Sequence, residues 1–370
     1  MLNRAAAMAI CFLFVATVFA QTPAPSSAPT VKGAAKSAMP SVSPSVSPTP
    51  AAQEIINSLA DNDLQTAFTL LKSSFANSEA ITETELNRAT LTGLLVRMPG
   101  GLLVLPNKES APPEQSAPFY SELFENHIGY ARLGSLSSGN LKELDKALQD
   151  FGAKKVDAMI VDLRASSSGD FATAAEFAKR FCPKGKTLFN LRKQGARQDR
   201  AFNSDRDPSF QGLLAVLADG DTGGGAEALA AVLRADRKGL IIGQATAGRA
   251  VEYSDLPLPS GKILRVAVSE AVLPDGQSLF PSGVKPDLPV ELSAVAKREI
   301  FRASADKGMS IFVYETERPH LNEAALMAGT NPELELGEPQ RARAREKQTH
   351  DAVLQRALDV VTSLEIYQKR

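Results

Sequence analysis

The stretch that most constrains this chain is Val216 to Glu227, VLADGDTGGGAE, where an apolar strand passes through a glycine-rich turn straight into an amphipathic helix. Leu213 to Ala218 runs without polar alternation, as a strand buried on both faces does. Ala226, Leu229, Ala230 and Leu233 then recur at helical spacing. Gly223, Gly224 and Gly225 therefore sit at a helix N-terminus, whose free N–H groups and dipole favour negative charge. Strand, tight turn and helix in this order is where α/β enzymes set a nucleophile or an anion-binding loop.

The flanking chain keeps the same alternation. Ile128 to Leu133 reads as a strand, Leu141, Leu144, Leu148 and Phe151 as a helix face ended by Gly152, and Val156 to Leu163 as a second strand apolar on both faces. Phe171, Ala174, Ala175, Ala178 and Phe181 make another helix, and Lys186 to Leu191 another strand. Arg192 to Phe210 is polar, without sustained periodicity, and reads as a surface excursion. Val251 to Leu258 and the alternating Lys262 to Val272 close the set.

Outside this core, 1–20 has Arg4, an apolar run and small residues at Val18 and Ala20, the pattern of a cleavable export signal too short to span a bilayer comfortably. Residues 21–50 are an Ala/Pro/Ser-rich stretch that cannot offset its ordering entropy and reads as a disordered linker. Residues 51–105 carry apolar helix faces, one of them opened by the capping box Thr82 to Glu85. The core spans 127–292, and 293–370 is a helical extension whose charge-rich, Pro-interrupted stretch to about His350 is expected to pack outside it. With 41 basic and 42 acidic residues in 370, no charge excess points to nucleic acid. Removal of the signal leaves Cys182 alone, on an apolar helix face, so it reads as core.

Two segments, Thr222-Gly223-Gly224-Gly225-Ala226-Glu227 and Ile242-Gly243-Gln244-Ala245-Thr246-Ala247-Gly248-Arg249-Ala250, resemble the C-terminal processing, or tail-specific, serine peptidases. Members of that family read SASASE, then VGEKTFGKG, with a glutamine four residues after the lysine. Anchored on Glu227, the resemblance puts Gly224 at the nucleophile, Arg249 at the catalytic lysine, 249 − 224 = 25 residues on, and Tyr253 at the orienting glutamine. Ile128 to Leu133 is similar to the family's IGYIRL, Asp162-Leu163-Arg164-Ala165-Ser166-Ser167-Ser168-Gly169 to its DLRxNPGG, and Gly283 to Asp287 to its GIxPD. The resemblance implies a ClpP/crotonase-like α/β core. Leu91 to Leu105 resembles the helical element before the family's PDZ domain, yet only about twenty residues separate Leu105 from His127. Domains start at roughly 50 residues, so that module is expected to be missing.

What the family does with a serine and a neutral lysine, this chain must do otherwise. Gly224 has no nucleophile, and the guanidinium of Arg249 stays protonated at any relevant pH. Thr222 is the alternative nucleophile of a displaced serine-type endopeptidase, against which stands a capping role for an Asp221-Thr222 pair. A crotonase-like acyl enzyme rests on fold analogy alone. The retained half of the site is binding: backbone donors at Gly224 and Gly225, with Ser168 and Gly169 approaching from the opposite loop. Room beside a glycine, with Arg249 as a fork of donors, suits the C-terminal carboxylate of a polypeptide partner; pairing of Arg249 with Glu252 is the structural alternative. No His or Cys pair has metal-ligand spacing, and no cofactor is expected. The sequence reads as an exported, periplasmic or secreted, catalytically degenerate peptidase relative.

Overall fold

The computed structural model describes residues 54–55, 57–74, 82–106, 117–168, 170–313 and 349–368. The export signal, the linker, Gly169 and 314–348 lie outside them. The chain divides into two units. In the first, Met1–Ser78, helix α1 (Asp61–Ser74) buries no side chain. The second, Glu79–Arg370, opens with α2 (Glu83–Arg97), capped where Glu85 N donates to Thr82 Oγ1 at 3.1 Å. Strand β1 (Leu102–Leu105) follows. Those four residues were expected to continue a helical element; they pair instead with Ile263–Val266, and the ladder overrides local preference.

The core elements are β2 (Tyr120–Phe124), β3 (Ile128–Arg132), α3 (Ser138–Ala153), β4 (Ala158–Asp162), the short β5 (Ser167–Ser168) and α4 (Phe171–Ala178). Next come β6 (Thr187–Arg192), β7 (Arg200–Asn203), β8 (Leu213–Ala218), the short β9 (Gly223–Gly224), α5 (Gly225–Arg237) and β10 (Leu240–Gly243). β11 (Val251–Pro257), β12 (Ile263–Val272), β13 (Leu288–Pro289), α6 (Ala294–Lys307) and α7 (Ala352–Gln368) complete the set. The main sheet has the order β13-β10-β8-β4-β3-β2, parallel except for β2. A second sheet is built around β12, with β11 on one edge and β1 and β6 on the other.

The apolar runs read from sequence are apolar because both sheet faces are covered. Met159, Val161, Leu214, Val216 and Ala218 point into one cluster with α3, α4 and α5. Ala158, Ile160, Ala215 and Leu217 point into the other, with Ile300 and Phe301 of α6 and Val353, Leu354, Ala357 and Leu358 of α7. Helices α6 and α7 therefore form the second layer of the core; for α6 this corrects the expectation that the stretch to about His350 packs outside it. The stretch taken as a surface excursion contains β7, paired with β6, and Phe202 stacks on Phe189 with ring centroids 4.7 Å apart.

Helix α7 is docked by a buried ion pair. Arg164 Nη1 and Nη2 each donate to an Asp351 oxygen at 2.8 Å, while Nε and Nη2 also reach Asp162. Asp351 caps α7 by accepting from Leu354 N at 3.0 Å. Burial pushes the Asp351 carboxyl up, but Arg164 and these hydrogen bonds outweigh it and hold it below its usual range. Among the described residues no helix is long and apolar enough to cross a membrane.

Candidate active site and its altered groups

Three loops meet at the carboxyl ends of the parallel strands, where open α/β sheets place their ligand sites. They are 163–168 after β4, 219–224 after β8 and 244–250 after β10. The middle loop is tied by Thr222, whose N–H donates to Asp219 O and whose Oγ1 accepts from Asp219 N, both at 3.0 Å. Thr222 Oγ1 donates to Leu163 O at 2.9 Å, and the residue is fully buried. Its hydroxyl stitches two loops inside the core, a structural use that weighs against the displaced-nucleophile reading of Thr222.

Gly224, at the junction of β9 and α5, has φ 61° and ψ −124°. It lies beside Ser168 in the parallel bridge of β5 with β9, and a Cβ on Gly224 would stand 2.1 Å from Ser168 O. The room expected beside this glycine is filled by that carbonyl. Nor is the Gly224 N–H a vacant donor, because it donates to Glu227 Oε2 at 3.2 Å. Gly225 is packed as closely, a Cβ there meeting Ala174 Cβ at 2.9 Å. Ser168 Oγ accepts from Asp170 N at 3.1 Å, opening α4.

Glu227, used above only to align the motif, is the organising acid. Fully buried, it also accepts from Thr246 Oγ1 at 2.5 Å, Gly248 N at 2.6 Å and Arg249 N at 2.7 Å. Burial pushes its carboxyl above the usual range, and these donors pull against that. An internal carboxylate thus takes the anion position at the head of α5, and with it the Gly224 donor expected to serve a ligand. A glutamate three residues into a helix is a capping-box signal, which was legible in GGGAE.

The Arg249 backbone is fixed by Glu227 and its side chain is exposed. Its Cγ would lie 3.0 Å from a Cβ on Gly100 and its Nη2 3.4 Å from a Cβ on Gly223, so both glycines make room for it. Ser167 Oγ would lie 3.2 Å from that same point above Gly223, so a hydroxyl and a guanidinium nitrogen both approach one spot over this glycine. Among the described residues Arg249 has no ion-pair partner. Glu252 is held elsewhere, by Arg200 and by Ser269 Oγ at 2.7 Å, which corrects the Arg249–Glu252 pairing. The Tyr253 hydroxyl donates to Gly100 O at 2.6 Å and anchors the turn beneath Arg249; burial pushes its pKa up, opposed by Arg249 and Arg265. Cys182 is buried away from the site, its thiol pushed up to about 12 chiefly by that burial.

A glycine-headed helix facing a second strand-end loop is the place where α/β enzymes set their sites. Residues 127–290 match the model of Peptidase family S41, and this core is similar to the C-terminal processing proteases. The carboxy-terminal processing protease CtpA of Bacillus subtilis is 26% identical over 200 residues, 52% of this chain and 42% of its own length. The chloroplastic carboxyl-terminal-processing peptidase 2 of Arabidopsis thaliana is 28% identical over 174 residues, 47% of this chain and 34% of its own. The chain therefore spans less than half the length of these curated relatives. A solved structure of a provisionally assigned peptidase from Parabacteroides merdae matches at a TM-score of 0.50 and 16% identity, over 65% of this chain and 85% of that one. It supports the fold.

Proposed function

We propose that the protein is an exported member of the C-terminal processing family that holds polypeptides by their free C-terminus without cleaving them. The observation that carries this reading is the Ser168 carbonyl, standing where any side chain at Gly224 would begin. With no hydroxyl at 224 and a permanently charged guanidinium at 249, acyl transfer has neither nucleophile nor base. Binding is supported by a donor pair, since the Arg249 guanidinium and the Ser167 hydroxyl both approach one point above Gly223. A carboxylate accepts from such a pair; an amide carbonyl accepts more weakly. Export is supported by the signal-like pattern of 1–20.

The test compares peptides such as acetyl-Ala-Ala-Ala with free and amidated C-termini, read by amide chemical shifts of Gly223 and Arg249. The free acid is expected to bind about tenfold tighter or more, the worth of one charge-assisted hydrogen bond at about 1.5–3 kcal/mol. The preference disappears in Arg249→Ala and shrinks with salt. Equal binding of acid and amide contradicts the C-terminus reading, and appearance of cleavage products contradicts the silent site.

A further inference from the structure

Behind the site lies a charge cluster, two of its members buried and the third, Asp221, exposed, that the binding reading does not use. Lys297 of α6 is 6% exposed, and its Nζ donates to Asp219 Oδ2 and, at 2.7 Å, to Asp221 Oδ2. Asp219, also 6% exposed, does more than pair with it. Its Oδ1 accepts from Asp221 N at 3.0 Å, from Thr222 Oγ1 at 3.2 Å and, across to the other loop, from Ala165 N at 3.1 Å. Ala165 is a non-glycine residue at φ 54°, in the left-handed region that a side chain disfavours. Strained backbone of this kind persists only when its surroundings over-determine it. Immediately after Ala165 comes the segment whose Ser166 O accepts from Gly223 N at 2.9 Å and whose Ser168 closes over Gly224.

We infer that Lys297 is a positioning residue for the site: by neutralising the buried Asp219 it holds Ala165 left-handed, and so keeps the Ser166–Ser168 segment seated on Gly223 and Gly224. Without the ammonium, Asp219 is an uncompensated buried charge that draws in water or protonates, and in both cases its grip on the Ala165 N–H weakens. The loop then has no reason to stay in a disfavoured conformation. Helix α6, part of the layer on the far face of the sheet, is thereby the handle through which the site is kept closed. This does not depend on what the site binds.

The experiment is residue-resolved amide hydrogen exchange on the full chain. In Lys297→Met, the Gly223 amide, bonded to Ser166 O, is expected to exchange at least tenfold faster relative to the core amides of Val161 and Val216. Lys297→Arg, which keeps the charge, is expected to stay within about twofold of wild type. Ala165→Gly in the Lys297→Met background is expected to recover part of the protection, because glycine accepts the left-handed conformation without strain. Unchanged protection of Gly223 in Lys297→Met overturns the inference. So does an equal loss at Gly223 and in the core, which would mark Lys297 as a general stabiliser. Should Lys297→Met not fold, Lys297→Gln, a neutral donor, is read in the same way.

Discussion

Gly224 shows how one carbonyl limits what a residue can become. Its backbone already has φ 61°, and a Cβ would meet Ser168 O at 2.1 Å. Gly224→Ser is therefore expected to lose about 1–3 kcal/mol to backbone strain and about 1–3 kcal/mol more to overpacking. Urea denaturation measures this, and a serine variant as stable as wild type would mean that β5 moves aside freely. Thr222→Val is expected to cost about 1–3 kcal/mol, because it strands Asp219 N, which the hydroxyl accepts, and Leu163 O, to which it donates. Unchanged stability would return Thr222 to the list of available hydroxyls. Positions 224, 249 and 253 could be singled out in the sequence because the segments that hold them keep an ungapped interval. Ser167 was passed over because its importance comes from Gly223 across a bridge, and Lys297 because its partner Asp219 is 78 residues away. A linear pattern carries neither relation.

Helix α7 is the element whose role the sequence hid most. Its periodicity was readable, but its docking depends on Arg164 at one end and His127 at the other. His127 Nε2 lies 2.9 Å from Glu365 Oε2. Burial lowers the His127 pKa, but the Glu125 carbonyl and the Glu365 carboxylate outweigh it, and the net direction is up from 6.5. A raised folded pKa means the contribution is fully present below the unfolded value and is lost as pH rises through the folded one. The last turn of α7 is thus expected to lose exchange protection as pH rises past that point, after correction for intrinsic rates. His127→Phe removes this dependence, and a pH-independent last turn in wild type would deny the contact. At the other end the sign reverses, since Asp351 is held below its usual range and its contribution is lost only on acidification. Asp351→Ala leaves Arg164 buried without this carboxylate and is expected to cost about 3–5 kcal/mol in urea unfolding. A loss under 1 kcal/mol would mean that apolar packing alone holds the helix.

At the scale of the molecule, a sheet that matches a peptidase family carries glycine at 224 and arginine at 249, with the protein's own groups packed around them. Glu227 holds the anion position, Ser168 covers Gly224, and Thr222 is consumed in stitching two loops. The sheet and its first helical layer were legible because apolar runs and helical spacing report burial directly. The second layer was not, since helices that cover the far face read the same as helices at the surface until their partners are known. The central claim, that no activated hydroxyl remains, is tested most directly by incubating the purified protein with a fluorophosphonate probe and weighing it by mass spectrometry. The account predicts no adduct beyond that of the heat-denatured control; a stoichiometric adduct on the native protein, lost in Thr222→Val or Ser168→Ala, would contradict it.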